Sequence, residues 1–288
     1  MSRLTITIID VGWGDSILLE SIDDTNNPLY ALIDCNDSTT LRSSYLYIKR
    51  FLERQGVVLN AQPVFSFVLL THGHADHADG IQAILRDFGT DWFWYPKSVA
   101  TGSFANVIKY ANKYTQKVKR HQAIDNSKVL PDLGNVQLKV LWPPYSAGGA
   151  YNITNENNNS IVLALTLGSA SFILTGDCEA DNWPLIAGNL HAIPGLSVFK
   201  VPHHGAVNGV FSKNGSTPWL DVLPVDTKFA ISSHIVPFSH PAPEVIQEFA
   251  NRQIQPFRTD LHYHLIFATD GTVNPVGAPN VSVQWSHI

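Results

Sequence analysis

The chain has 288 residues, 44% of them hydrophobic and 10% aromatic, enough for a sizeable core, and only 15% charged, which excludes a disordered chain. Net charge is −5 and the pI is about 6.1, so no global basic field favours nonspecific nucleic-acid binding. Two cysteines, Cys35 and Cys178, lie outside any CxxC and make no disulfide framework.

Residues 3–9 (RLTITII) alternate and are β-branched, which predicts a strand. VGWGDS (11–16) is a Gly-rich turn, followed by strands at 17–21 and 29–34 joined through DDTNNP. Leu41, Tyr45, Ile48, Phe51 and Leu52 form a helical stripe over 41–55. VFSFVLL (64–70) reads as a buried strand that runs into THGHADHADG (71–80). A helix is expected from Asp76 to Phe88, an aromatic strand at 91–96 and a helix over 103–118. In the second half, strands are expected at 135–142, 160–167, 169–177, 196–205 and 227–233, with a helix at 179–190, a segment at 238–250 that leads into a helix, and β structure over 262–285. NITNENNNS (152–160) reads as a loop. Neither a linker-like tract nor a short repeat divides the chain. Two β-rich halves with interleaved helices predict an α/β fold, an αββα sandwich of two mixed β-sheets with helices on the outer faces, in one domain over 1–288. No stretch reaches the roughly 18 apolar residues of a membrane span. The N-terminus lacks the apolar run and cleavage site of a secretory signal. A soluble, cytoplasmic protein with no membrane partner is the expectation.

Five predicted strands end in His or Asp: LIDC in Asp34, LLTHGHADH in His72, His74, Asp76 and His77, ILTGD in Asp177, FKVPHHG in His203 and His204, and ISSHIVPFSHP in His234 and His240. Strand ends of a sandwich converge on an edge, where sites form. His72 and His74 are two residues apart, so in an extended segment they face one side and can share a metal ion. Asp76 and His77 open the next helix and point to a second position, and Asp177 is placed to bridge the two. Imidazole and carboxylate without thiolate suit Zn²⁺, Mn²⁺ or Fe²⁺. Two such ions about 3.5–4 Å apart activate a water and clamp both attacking and leaving oxygens. The competing reading of THGHADHADG is a solvated polar loop, which the other four strand ends make the weaker one.

The chain resembles the metallo-β-lactamase-fold hydrolases over nearly its whole length: VGWGDSILL, LIDC, LLTHGHADHADG, LTGD, KVPHHG and FSHP occur in that order. VGWGDSILL, NNNSIVLAL, ILTGDCE and KVPHHGA are most similar to the ComEC-like branch, the soluble hydrolase domain of competence DNA-uptake proteins, with phosphorylcholine esterases as relatives. The resemblance implies two divalent ions, Zn or Mn. His72 and His74 would hold the first, Asp76, His77 and His240 the second, with Asp177 between them. Asp76, His203 and His204 would be the catalytic groups, the two histidines stabilising a phosphate oxygen or protonating the leaving group. Asp34 would orient a ligand histidine, the alternative being an Asp that caps a turn. A histidine common in the superfamily between HxHxDH and the bridging Asp is replaced by the Asn-rich loop. His121 alone falls in that interval, on a segment read as surface, so the first metal position is expected to be short of a ligand. Asn159 is expected either to bond substrate or water or to turn the chain into the next strand. Asp15 is expected to make a hydrogen bond near the metal mouth.

His262 and His264 alternate on a late strand and are expected on a partly exposed face. Trp13 and WFWY (92–95) are candidates for stacking bases, though aromatics at strand spacing are more often core. Lys97, Lys109, Lys113, Lys117, Lys119 and Arg120 form a basic run that either tracks a nucleic-acid backbone or is a solvated face. Cys178 is expected to pack rather than react. The expected function is a dinuclear metal-dependent phosphodiester hydrolase, with DNA as the leading substrate. A small-molecule phosphodiesterase and a non-catalytic metal-binding module are the alternatives.

Overall fold

The computed structural model describes residues 2–286 apart from 39, 41, 60–62, 148 and 153, so Leu41 and Ile153, within the expected helix and loop, lie outside the described residues. In chain order the first elements are β1 (Arg3–Ile8), β2 (Ser16–Ile22), β3 (Pro28–Cys35), α1 (Ser43–Arg54), β4 (Phe65–Leu69), α2 (Ala75–Ala78), α3 (Ile81–Asp87), β5 (Thr90–Pro96), α4 (Gly102–Lys113) and β6 (Val118–Ile124). Then come β7 (Gln137–Trp142), β8 (Val162–Leu167), β9 (Ala170–Leu174), α5 (Trp183–Leu190), β10 (Leu196–Lys200) and α6 (Val207–Val210). The last are β11 (Lys228–Ile231), α7 (Pro243–Asn251), β12 (Phe257–Arg258), α8 (Thr259–His262), β13 (His264–Val273) and β14 (Pro279–Ser286).

The strands form two sheets, in the orders β14-β13-β1-β2-β3-β4-β5-β6 and β12-β11-β10-β9-β8-β7. Each is mixed. In the larger, β3, β4, β5 and β6 run parallel and the rest antiparallel. In the smaller, β9 to β12 run parallel and β7 to β9 antiparallel. One apolar cluster, with Ile6, Leu19, Leu69, Leu165 and Phe172, fills the space between the sheets. A second packs α1, α3 and α4 on the larger sheet, and a third packs α5 and α7 on the smaller. Each fully buried Leu, Ile or Phe contributes about 1.5–3 kcal/mol to holding these layers together. This is the predicted αββα sandwich, with one difference: the last hairpin, β13–β14, crosses back to the first sheet beside β1. No helix of the described residues is long and apolar enough to cross a membrane.

Other differences are local. The expected 103–118 helix stops at Lys113, and the segment containing His121 is the edge strand β6, where His121 stacks on Tyr95. The Asp76–Phe88 helix is split into α2 and α3 at Asp79–Gly80. An alanine methyl at Gly80 would lie 2.4 Å from the Cys35 sulfur, so the break brings this loop against the end of β3. The Asn-rich loop contains a 3₁₀ turn at Glu156–Asn159. His262 and His264 do not alternate on a strand, because Tyr263, with φ 61°, separates the end of α8 from β13.

Candidate metal centre

Parallel strands put their C-terminal ends at one edge, the usual place for a site in such sheets. Here β3, β4, β9, β10 and β11 deliver Asp34, the His72–His77 loop, Asp177, the His203–His204 turn and the His240 loop. The Pro202–Gly205 segment is a 3₁₀ turn in which His203 and His204 have φ of 50° and 54°. In an extended strand neighbouring side chains point apart, whereas this left-handed pair turns both imidazoles toward Asp177. Such conformations persist where surrounding structure enforces them. Hydrogen bonds do so here, from His203 N–H to the Gly176 carbonyl and from Ala242 N–H to the Gly205 carbonyl. Gly14 serves the same edge: its φ is 97°, and a Cβ there would come within 2.3 Å of the Asp76 carbonyl oxygen.

Hydrogen bonds fix the tautomers. The Asp34 carboxylate, fully buried, accepts from Thr71 N–H, the Thr71 hydroxyl and His77 Nδ1, each at 2.7 Å. His77 therefore carries its proton on Nδ1 and turns its Nε2 lone pair to the cluster. His204 Nδ1 donates to the Ser232 carbonyl at 2.9 Å, which likewise frees Nε2. The two Nε2 atoms then face each other at 3.3 Å. Two lone pairs at that distance repel unless a cation lies between them. Asp177 Oδ1 stands 3.3 Å from His77 Nε2 and 3.4 Å from His204 Nε2, and Asp76 Oδ2 stands 3.8 and 3.6 Å from the same atoms. Donors about 2.0–2.2 Å from a tetrahedral ion are about 3.4 Å apart, so this set fits one divalent cation.

A second set faces the other carboxylate oxygen. Asp177 Oδ2 is 3.7 Å from His72 Nε2 and 3.8 Å from His203 Nε2, and His72 Nε2 is 3.1 Å from His74 Nδ1. Asp177 is 2% exposed, and its Oδ1 accepts no hydrogen bond. A buried, unsatisfied carboxylate oxygen costs too much to leave unpaired, and a cation resolves it. The edge thus has the donors of a dinuclear site, four to each side if Asp177 is shared.

This arrangement departs from the expected roles. His204, rather than His240, stands with Asp76, His77 and Asp177. His203 stands on the side of the first position, which was expected to be short of a donor, with its Nε2 3.8 Å from Asp177 Oδ2. His240 instead lines the adjoining cavity, its ring 6.0 Å from that of His203 and its Nδ1 without a hydrogen-bond partner. Asn159 faces away from the cavity. It is fully buried and braces its own loop by bonds to Asn152 and Glu156, and Asn157 takes the wall position 3.4 Å from His203. Asp15 is buried beneath the site, not at its mouth, and its partner was not anticipated: Lys200, also buried, brings Nζ to 2.8 Å from Asp15 Oδ2. His234 is exposed and bonds its own turn. Cys178 is fully buried in the α5 cluster, as expected, with burial pushing its thiol well up. Lys97, Lys109, Lys113, Lys117, Lys119 and Arg120 do not line the cavity.

Without metal, protons take the cations' place. Burial alone would make His77 and His204 neutral, but Asp177 with Asp34 and Asp76 holds His77 well above the ordinary imidazole value, and Asp177 with Asp15 lifts His204 to about 10. Burial opposes the charge on Asp76 and Asp177 too, yet these imidazolium groups hold both carboxyls below the usual range. The linkage has a definite sign. Unfolded histidine titrates near about 6.5, so between that pH and about 10 the folded metal-free chain binds more protons than the unfolded one, and stability falls as pH rises. The carboxylate contribution is present above about pH 4 and lost as pH falls below it. Burial holds His72, His203 and His240 below the ordinary imidazole value, and these rings cost stability as pH falls below about 6.5, so the stripped chain is expected to be most stable near pH 6.5 and to lose several degrees of Tm toward pH 9.5. The loaded chain does not show this loss, because metal binding displaces those protons. Melting curves with and without chelator check this; a stripped chain that gains stability with pH would show the histidines to be neutral.

No protein-family model matches the chain. Among curated proteins it is similar to ComE operon protein 3 of Bacillus subtilis, 25% identical over 275 residues, covering 88% of this chain and 32% of that protein. The chain thus spans about a third of the length of that relative. Among solved structures it is similar to CmlA, a diiron β-hydroxylase from Streptomyces venezuelae, with TM-score 0.53 and 12% identity over 91% of this chain and 53% of that one. Igni18, a metallo hydrolase from the archaeon Ignicoccus hospitalis, gives TM-score 0.49 and 11% identity over 97% and 98% of the two chains. With two mixed sheets stacked between helices and His and Asp donors gathered at their common edge, the chain has the metallo-β-lactamase fold.

Proposed function

We propose that the chain is a dinuclear metal-dependent hydrolase of phosphodiester bonds, with DNA as the leading substrate. The observation that carries the metal-dependent part is Asp177, whose two oxygens each face a separate set of imidazole nitrogens. His72, His74, His203 and Asp177 would hold one ion, and Asp76, His77, His204 and Asp177 the other. Such ions supply Lewis acidity toward a phosphoryl oxygen and lower the pKa of a neighbouring water. Asp34 and the Ser232 carbonyl keep the Nδ1 protons of His77 and His204 in place, so their Nε2 atoms stay available as donors. His240 takes the part first expected of His203 and His204. Burial and the neighbouring histidines hold its pKa below the ordinary value, so at neutral pH its ring is uncharged and donates a hydrogen bond to a phosphoryl oxygen. The phosphodiester part rests on the resemblance of VGWGDS, TGD and HHG to the ComEC-like branch.

The test is turnover of single-stranded DNA, duplex DNA and bis-p-nitrophenyl phosphate by chain stripped and reloaded with Mn²⁺ or Zn²⁺. Metal-dependent cleavage is expected. His240→Ala should lower kcat by about 10²–10³-fold with metal content unchanged, whereas His204→Ala should lose one metal equivalent. A chain that binds two ions and cleaves none of the three substrates contradicts the proposal.

A further inference from the structure

We infer that the cavity beside the metal donors receives an unpaired nucleobase next to the scissile phosphate, with Trp13 and Phe238 as the surface it stacks on. The inference rests on the phosphodiesterase reading and adds the substrate's shape to it. The cavity measures about 920 Å³. That is near the top of the roughly 300–1,000 Å³ that holds a drug-sized ligand, and far more than a phosphate group fills. One wall is a row of rings that descends from the rim to the donors. Trp13 meets Phe238 edge-on at 5.4 Å, Phe238 stacks on His240 at 6.0 Å, and His240 lies 6.0 Å from His203. Trp13 is 37% and Phe238 58% exposed, so ring surface is open to a ligand. Neither ring is needed by the core, and Trp13 sits between Gly12 and Gly14, both at positive φ, with its carbonyl held by the Asn36 side chain.

Charge narrows the ligand further. Among the described residues, the lysine or arginine lining the cavity is Lys213, and its ammonium is paired with Asp181 at 3.3 Å. Glu179 and Asp181, both acidic, line the same cavity. Phosphates on either side of the scissile one would find a single ammonium here, Lys213, facing Asp181, although backbone tracking needs lysine or arginine along the strand. A duplex also keeps its bases in the stack, and exposing one costs unpairing energy. One phosphodiester carrying one unpaired base fits the wall and the charge. A free nucleotide diester and the end of a single strand both present that chemistry.

The experiment compares kcat and KM of the metal-loaded chain on thymidine 5′-p-nitrophenyl phosphate and methyl p-nitrophenyl phosphate, which share a leaving group and differ in the base. The thymidine ester should have the lower KM. Trp13→Ala and Phe238→Leu should each shrink the KM ratio between the esters by about 5- to 150-fold, the range of base–aromatic stacking, and Trp285→Ala, at the far hairpin, should leave it unchanged. A ratio near one in the native chain, or one insensitive to Trp13 and Phe238, overturns the inference. So does cutting of duplex interiors as fast as single-strand ends. Degradation of a single-stranded oligonucleotide from its ends would assign the strand terminus as the source, and turnover of the thymidine ester alone the free diester. If neither ester is hydrolysed with either metal, the phosphodiesterase reading fails by itself. Calorimetry then decides the stacking: thymidine 5′-phosphate must bind more tightly than methyl phosphate and lose that advantage in Trp13→Ala.

Discussion

Lys200→Met is expected to destabilise the chain by about 3–5 kcal/mol, the cost of removing one partner of a buried ion pair, and to lower Tm by roughly 10 °C. Lys200 is fully buried at the end of β10, three residues before His203. Its ammonium lies 2.8 Å from Asp15 and 3.5 Å from the carbonyl oxygens of both Gly176 and Val201. One charge thus ties together the turn after β1, the loop bearing Asp177 and the turn bearing His203 and His204. Methionine fills similar space but leaves the buried Asp15 carboxylate, close to Asp34, without the ammonium that met it at 2.8 Å. Asp15 Oδ1 is also 3.6 Å from His204 Nδ1 and would then compete with the Ser232 carbonyl for that proton. Lys200→Met/Asp15→Asn removes both charges, so it should recover most of the loss. Melting of the two variants beside the native chain checks this; a single variant that melts within a degree of native would show that the pair contributes little.

The layers and the site's edge were legible because burial writes itself into sequence. VFSFVLL and LSVFKV are apolar runs, as parallel strands covered on both faces must be, and titratable residues cluster where those runs stop. The assignment of each histidine was not legible. Spacing says that HHG and FSHP arrive at the same edge. It does not say that φ near 50° at His203 and His204 turns both rings inward, leaving His240 on the cavity wall. Lys200 gave no signal, since a lysine in LSVFKVP reads as a solvated strand residue until its place beneath the donors is known. Among the asparagines of NNNS, three similar side chains offered no means to separate Asn157 on the wall from Asn159 in the brace. β6 was missed because Val118 and Ile124 are its buried positions and polar residues fill the rest, the pattern of an edge strand blunted with charge.

Asp177→Asn separates the shared-carboxylate account from one in which Asp177 merely packs. The amide nearly keeps the volume and one oxygen, but it loses the charge, and its nitrogen is a donor only. In either orientation one set of lone pairs, His72 with His203 or His77 with His204, then faces an N–H where a carboxylate oxygen stood. Metal content is expected to fall from two ions to at most one, with the affinity of the lost position down by more than the about 10–100-fold typical of outer-sphere partners. A second consequence appears without metal. Asp177 is the leading electrostatic cause of the raised pKa of both His77 and His204. Its loss lets burial drive those rings toward neutrality, so the folded chain sheds the extra protons that made its stability fall with pH. The stripped variant should therefore show a flatter Tm between pH 6.5 and 9.5 than the stripped native chain. Metal analysis and melting curves on the same preparations read both effects. Two ions held at native affinity, together with an unchanged pH slope, would show that Asp177 neither bridges the two positions nor charges the histidines around it.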